Sequence, residues 1–156
     1  MRTKIDFGID LGTTNSAIAK MENGKPMIVT TGRADIIASC VSIQQGGRFL
    51  VGNDRAKANF EQEKQKELRD GTKPNTFTEF KREMANPFTY KSTNLGRDIS
   101  PEELSAEVLK TLKSFVTTEK LNSIVITVPA KFNIAQKQAT INAGKLAGFD
   151  LVVLLE

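Results

Sequence analysis

Alternating apolar residues near the start of the chain predict a strand with two very different faces. Large apolar residues would line one face: Ile5, Phe7, Ile9 and Leu11. Small and acidic residues would line the other: Asp6, Gly8, Asp10 and Gly12. A spacing of two residues is that of a strand. Because glycine and short side chains leave room for a close approach, we infer that something other than side-chain packing comes near the second face.

Further runs of the same kind predict an antiparallel meander. Its strands are expected over about residues 4–11, 15–21 and 26–29. Asn23-Gly24 is a typical two-residue hairpin turn and joins the last two strands. A second hairpin is expected over 41–43 and 49–51, where two more apolar runs flank a glycine-rich turn.

The rest of the chain alternates between helical and strand patterns. Helices are expected over about 54–68, 77–84, 100–118 and 133–146, and a small hairpin over 86–99. The helix at 100 has a strong start signal, since Ser100 can cap it, Pro101 fits its first position and Glu103 its third. Apolar runs at 124–128 and 150–155 predict strands around the last helix, the final one buried on both faces. Strand, helix and strand at this spacing predict a parallel βαβ unit.

The tip of the first hairpin has groups that suit a phosphate. Gly12, Thr13 and Thr14 break the strand, and N–H groups and hydroxyls at such a tip can hold phosphate oxygens. The carboxylate of Asp10 beside them can hold a magnesium ion through water. From these residues alone a second interpretation stays open, in which Asp10 is a solvated carboxylate and the other three are ordinary turn residues.

Composition narrows the classes of protein. Lys and Arg exceed Asp and Glu by 22 to 18 among 156 residues, and the excess is scattered, so we expect no nucleic-acid partner. The absence of histidine excludes His-based catalysis. Cys40 is the one cysteine and lies in an apolar run, which favours a small core residue over a nucleophile. We see no leader segment and no run that could span a membrane, and therefore expect a cytoplasmic protein with no membrane partner.

Four segments together match a known pattern. Residues 8–16 read Gly-Ile-Asp-Leu-Gly-Thr-Thr-Asn-Ser, and residues 125–140 read Val-Ile-Thr-Val-Pro-Ala-Lys-Phe-Asn-Ile-Ala-Gln-Lys-Gln-Ala-Thr. The other two segments are Phe80-Lys81-Arg82 and Leu154-Leu155-Glu156. In this order they resemble the heat-shock protein 70, or DnaK-type, family of the actin and sugar-kinase superfamily. The resemblance covers essentially the whole chain, and its phosphate motif and Val-Pro signature are together highly specific.

The resemblance implies an α/β fold with a ribonuclease-H-like (actin-type ATPase) mixed sheet and an inserted α+β subdomain. The core layer would comprise about residues 1–37 and 101–156, and the insert about 38–100. The chain would be the first lobe of a nucleotide-binding domain, without the second lobe or the substrate-binding domain. The implied activity is hydrolysis of ATP with Mg²⁺, coupled to binding and release of unfolded polypeptide clients. J-domain or nucleotide-exchange co-chaperones would be further partners.

The resemblance also implies roles for individual residues. The catalytic set would be Lys81, Asp10 and Glu156, and the two carboxylates would hold magnesium through water. Nucleotide contacts would come from Gly12, Thr13, Thr14, Asn15 and Arg82. Pro129 would relay the nucleotide state through Lys137, which stands where the family has an arginine and lacks its planar fork.

Simpler interpretations of the same residues stay open. On pattern alone Lys81 is a solvated lysine, Arg82 is a surface partner of Glu79 or Glu83, and Pro129 terminates a strand. Two other functions of the superfamily also remain, a sugar or metabolite kinase and an actin-like filament protein. The signature around Pro129 and the insert argue against the kinase. The insert of the actin type is differently placed and built and the segment around Lys81 would be unexpected there, which argues against the filament protein.

We expect residues 1–156 alone to bind ATP poorly, because the resemblance implies that half of the nucleotide pocket lies in other sequence. Titration calorimetry with MgATP measures this directly. Tight, magnesium-dependent binding by this chain alone would contradict the expectation.

Overall fold

The computed structural model describes residues 4–30 and 34–156. Its strands and helices, in chain order, are β1 Phe7–Leu11, β2 Asn15–Glu22, β3 Lys25–Ile28, β4 Ile37–Ala38, β5 Cys40–Ile43, β6 Phe49–Val51, α1 Asp54–Asp70, β7 Thr76–Thr78, a 3₁₀ turn Phe80–Glu83, β8 Tyr90–Ser92, β9 Arg97–Ile99, α2 Pro101–Ser114, β10 Ser123–Thr127, α3 Ile134–Leu146 and β11 Leu151–Leu155. None of the helices in these two ranges is both long and apolar enough to cross a membrane.

A mixed sheet of six strands forms the centre of this α/β fold. Its order is β11-β10-β1-β2-β3, and β4 pairs with β2 beside β3. The strands β1, β10 and β11 are parallel to one another. Strand β2 is antiparallel to both of its neighbours β1 and β3. The predicted meander and the predicted parallel βαβ unit are both confirmed. The parallel register sets Asp10 at the end of β1 opposite Thr127 at the end of β10.

One face of the six-stranded sheet carries the hydrophobic core. Ile9, Ile18 and Ile126 on this face are each at most 1% exposed. Helix α2 packs on β1, β2 and α3, and contributes the fully buried Leu104 and Val108. Each such side chain contributes roughly 1.5–3 kcal/mol of burial free energy. This face fixes β1, and therefore the position of the residues that follow it.

The prediction that the last strand is buried on both faces is wrong. Leu151, Val153 and Leu155 are 50%, 41% and 57% exposed, while Val152 between them is buried. The strand lies at the edge of the sheet, and α3 packs on the side that carries Val152. A continuous apolar run does not by itself distinguish a strand buried on both faces from an edge strand buried on one face.

A second sheet of three strands is built around β5. It has the order β6-β5-β7, with α1 packed against it, and β8 and β9 form a separate hairpin. The predicted hairpins at 41–51 and 86–99 are confirmed. The predicted surface helix is also confirmed, since Ala56 is the buried residue of α1. The boundaries of an inserted subdomain at about 38 and 100 stay a prediction.

The predicted helix over 77–84 is wrong. Phe77 lies in β7 and pairs with Val41 of β5, and only the 3₁₀ turn that follows is helical. Phe80 and Met84 are buried as the apolar spacing predicts. Pairing with a strand that is distant in sequence overrides the local preference of such a short segment.

Local signals determine where helices α2 and α3 begin. Ser100 and Glu103 form the predicted capping box of α2, and Asn133 and Gln136 form another at the start of α3. Helix α2 ends at Ser114, four residues before the predicted end. The amides of the next two residues bond to carbonyls three residues back, which tightens the last turn.

We expect the Cys40 thiol to make folding weaker at alkaline pH. The side chain is 2% exposed, and burial raises the pKa of the thiol from 9.0 to about 11. The charge of Glu63 adds a smaller increase, and the charge of Lys57 lowers the pKa slightly. Between these pH values the unfolded chain loses the proton and the folded chain keeps it, so stability falls as pH rises. The full loss is about 3 kcal/mol, from 1.36 kcal/mol for each pKa unit.

Equilibrium unfolding at a series of pH values measures this loss. The variant Cys40→Ala is the control, because it keeps all other alkaline titrations and lacks the thiol. Identical pH profiles of the two proteins would contradict the assignment. Iodoacetamide should also alkylate Cys40 in denaturant and not in the folded protein at about pH 8.

Candidate functional site

The loop between β1 and β2 folds back on itself so tightly that only glycine fits at its first position. A Cβ atom on Gly12 would lie 2.1 Å from the carbonyl oxygen of Asn15. Atoms do not approach so closely, so any side chain here would displace the backbone. The loop, residues 12–14, therefore presents backbone and two threonine side chains at the end of β1. We call it the phosphate loop below, after the role that the sequence predicts for it.

A closed set of hydrogen bonds holds the phosphate loop from behind. The amide of Gly12 donates to Ser16 Oγ at 3.2 Å, and Ser16 Oγ lies 2.9 Å from Ser39 Oγ. Ser39 Oγ in turn donates to the carbonyl of Gly12 at 2.8 Å. Sequence reasoning gave no role to Ser39, and included Ser16 only as the last residue of the motif 8–16. Their pairing joins residues 23 positions apart, and no local pattern signals it.

The carboxylate of Asp10 is exposed at the end of β1, next to the phosphate loop. The hydroxyl of Thr127 donates to one of its oxygens at 3.2 Å, which leaves the other oxygen available to a ligand. The parallel pairing of β1 with β10 creates this contact between residues 117 positions apart. Thr127 is therefore a third residue of the site to which sequence reasoning gave no role.

Lys81 reaches the end of β1 from the 3₁₀ turn. Its Nζ donates to the carbonyl of Leu11 at 2.5 Å and lies 5.6 Å from the centre of the Phe132 ring. Burial lowers the pKa of this amine, and the negative charge of Asp10 opposes that shift. The turn is flanked by Glu79 and Ala85, whose φ angles of 55° and 67° are unusual for residues other than glycine. The lysine is thus held in place, and it is not a freely solvated surface residue.

A cleft of about 440 Å³ opens beside Lys81. Its lining is mostly cationic and polar, and consists of Thr13, Lys81, Arg82, Pro129, Lys131, Phe132 and Gln136. Four of the residues expected in the site are therefore together. Arg82 is less constrained than Lys81, since its side chain is 68% exposed and pairs with Glu79 at 3.4 Å.

Comparison with known proteins identifies the family. The family described as Hsp70 protein matches residues 6–155. The chain belongs to the Hsp70 family. The chaperone protein DnaK of Ureaplasma parvum serovar 3 is 40% identical over 154 residues, which are 97% of this chain and 23% of that protein. DnaK of Ureaplasma urealyticum serovar 10 is 40% identical over 151 residues, 95% of this chain and 23% of that protein.

The chain spans about a quarter of the length of these Hsp70 relatives. The family resemblance read from the sequence is confirmed, and the mixed α/β fold agrees with an Hsp70 ATPase domain. Both relatives carry the name of a chaperone, so these comparisons do not support a metabolite kinase or a filament protein.

The remaining candidate residues of this Hsp70 chain lie apart from the cleft beside Lys81. Asn15 lines a different groove, together with Ile36, Gly52 and Phe115. Glu156 pairs with Lys137 of α3, and the two side chains are 52% and 34% exposed. Thr14 borders a further cleft with Thr13 and Ser39. Within residues 4–30 and 34–156, no hydrogen bond or ion pair joins Glu156 to Asp10.

The donor set fits a magnesium-bound phosphate chain. The cleft offers hydroxyl and cationic donors, Asp10 keeps one carboxylate oxygen unengaged by Thr127, and Gly12 has no side chain that would block an approach. Magnesium takes one or two carboxylates, waters and phosphate oxygens as ligands. A nucleotide bound here would meet Lys81 and the phosphate loop together.

We expect Gly12→Ala to destabilise the protein by about 2 kcal/mol or more, because the new Cβ would overlap the Asn15 carbonyl. Gly8→Ala, in the preceding strand β1, is the matched control. Its Cβ would meet nothing closer than 3.8 Å, and we expect a change within about 0.5 kcal/mol. Denaturant unfolding of both variants measures the difference. Equal stability of the two variants would contradict the described loop geometry.

Proposed function

We propose that this chain is the nucleotide-binding lobe of a DnaK-type chaperone that hydrolyses ATP to drive binding and release of unfolded polypeptide. The observation that carries the proposal is the contact of Lys81 with the end of β1. A lysine 70 residues further along the chain is brought to the carbonyl of Leu11, beside Asp10 and the phosphate loop. Family membership supplies the chemistry that this arrangement would perform.

Phosphoryl transfer requires neutralised charge and a positioned nucleophile, and little covalent chemistry from the protein. In our proposal Gly12, Thr13 and Thr14 contact the β- and γ-phosphates, and Asp10 holds Mg²⁺ through water. Lys81 contacts the γ-phosphate and the attacking water. Its desolvated amine supports this role, because a charge acts more strongly where water is excluded.

The larger architecture is part of the same proposal. The six-stranded sheet would be a ribonuclease-H-like core layer, and residues of about 38–100 an inserted subdomain. The adenosine pocket, the second lobe and the peptide-binding domain would lie in the portion of the relatives that this chain does not match. Clients, J-domain partners, nucleotide-exchange partners and a cytoplasmic location are proposed on the same basis.

Glu156, Pro129 and Lys137 would connect the nucleotide to the substrate domain. Pro129 lines the cleft beside Lys81, which supports a role in sensing the nucleotide. Lys137 bonds to Glu156, the second proposed magnesium-linked carboxylate. Arg82 and Asn15 are proposed as weaker nucleotide contacts, although Arg82 lines the cleft beside Lys81 and Asn15 lines a different groove.

We expect Lys81→Met to abolish hydrolysis in the full-length protein that carries this chain. The rate of a single turnover should fall by about 100-fold or more, because the transition-state charge loses the Lys81 amine. Nucleotide affinity should change less, since the other phosphate contacts remain. Rapid-quench hydrolysis and titration calorimetry measure the two effects separately.

Lys91→Met is the control for this experiment, because Lys91 is exposed on β8 outside the cleft. It removes the same charge and should hydrolyse ATP at the wild-type rate. Hydrolysis by Lys81→Met within about threefold of wild type would contradict the proposed role of Lys81. No hydrolysis by the wild-type protein under any nucleotide condition would contradict the proposed function.

A further inference from the structure

We propose that Ser39 is a positioning residue that holds the phosphate loop in its binding geometry and ties it to the second sheet. The inference rests on the proposed nucleotide function of residues 12–14. It concerns a residue outside that loop, 27 positions from Gly12 in the chain.

Ser39 contacts the phosphate loop at both of its ends. Its hydroxyl donates to the carbonyl of Gly12 at 2.8 Å, and its amide donates to the carbonyl of Thr14 at 2.8 Å. The hydroxyl proton of Ser39 is already donated to Gly12. In the hydrogen bond between the two hydroxyls, Ser16 is therefore the donor and Ser39 the acceptor. The Gly12 amide completes the ring by donating to Ser16.

Burial makes this ring stiff. Ser39 and Ser16 are 3% and 2% exposed, so water does not readily replace a lost partner. Each hydroxyl in the ring donates once and accepts once, which determines the orientation of both. Removal of either one would leave a buried polar group of the other residue, or of Gly12, without its partner.

The position of Ser39 in the chain connects this ring to the second sheet. Ala38 before it pairs with Asn15 of β2, and Cys40 after it is the first residue of β5 and pairs with Thr78 of β7. The chain continues from β7 into the turn that carries Lys81. A shift of the second sheet against the first would therefore move the phosphate loop through Ser39.

The test uses the full-length protein and four variants: Ser39→Ala, Ser16→Ala, Ser42→Ala and Ser39→Thr. Ser39→Ala removes the hydroxyl, and Ser16→Ala breaks the same ring from β2. Ser42→Ala is the matched control, since Ser42 is 1% exposed on β5 and its hydroxyl bonds to Asn59 and Thr76, away from the loop. Hydrogen–deuterium exchange at residues 12–16 without nucleotide measures how firmly the loop is held. Titration calorimetry with MgADP measures the affinity of the site for nucleotide.

We expect faster exchange over 12–16 and about tenfold weaker MgADP binding in Ser39→Ala and Ser16→Ala. Ser39→Thr keeps the hydroxyl and should restore both properties to within about threefold of wild type. Ser42→Ala should lower thermal stability and leave exchange over 12–16 and MgADP affinity unchanged. This combination separates positioning of the loop from a general loss of stability.

Unchanged loop exchange in Ser39→Ala would overturn the positioning role whatever the wild-type protein binds. Equal effects of Ser39→Ala and Ser42→Ala on MgADP affinity would also overturn it. Absence of MgADP and MgATP binding by the wild-type protein would instead overturn the proposed function, and the exchange measurement would still decide whether Ser39 holds the loop.

Discussion

The site depends on a lysine held against the end of β1. The Nζ of Lys81 lies 2.5 Å from the carbonyl oxygen of Leu11, in a position where burial disfavours its charge and Asp10 favours it. An anionic ligand in the adjoining cleft would tip this balance toward the charged amine. The protein alone therefore stabilises the positive charge of Lys81 only in part. A phosphate in the cleft would add the missing negative charge.

The six-stranded sheet and the second sheet must keep their relative position if Lys81 is to stay beside Asp10. The six-stranded sheet presents Asp10, and the parallel pairing with β10 brings Thr127 to it. The second sheet leads into the turn of Lys81, and Ser39 anchors that sheet to the phosphate loop. Packing of α2 on β1, β2 and the turn holds both parts against one core. The site is therefore a junction between two sheets, and it does not belong to either alone.

The sequence predicts those features that short segments determine by themselves. Asn23-Gly24 adopts the positive φ angles of its turn, and Ser100 and Glu103 form the expected capping box, because every interacting group lies within a few residues. Strand β7 and the Ser39 ring escape prediction, because each depends on a partner more than 20 residues away. The motif around Lys81 indicated the residue by family likeness, whereas its contact with Leu11 required the fold.

The pairing of Lys137 with Glu156 bears on how readily a magnesium ion could recruit the second carboxylate. Both side chains are substantially exposed, at 34% and 52%, and exposed ion pairs contribute only about 0–1 kcal/mol. A lysine also offers a single compact charge, whereas an arginine would hold the carboxylate with two parallel hydrogen bonds. Under the proposed role of Glu156, its carboxylate would therefore leave Lys137 for a bound ion at small cost. In the proposed relay, a lysine at this position would release the carboxylate more easily than an arginine, and the proposed connection from nucleotide to α3 would be correspondingly looser.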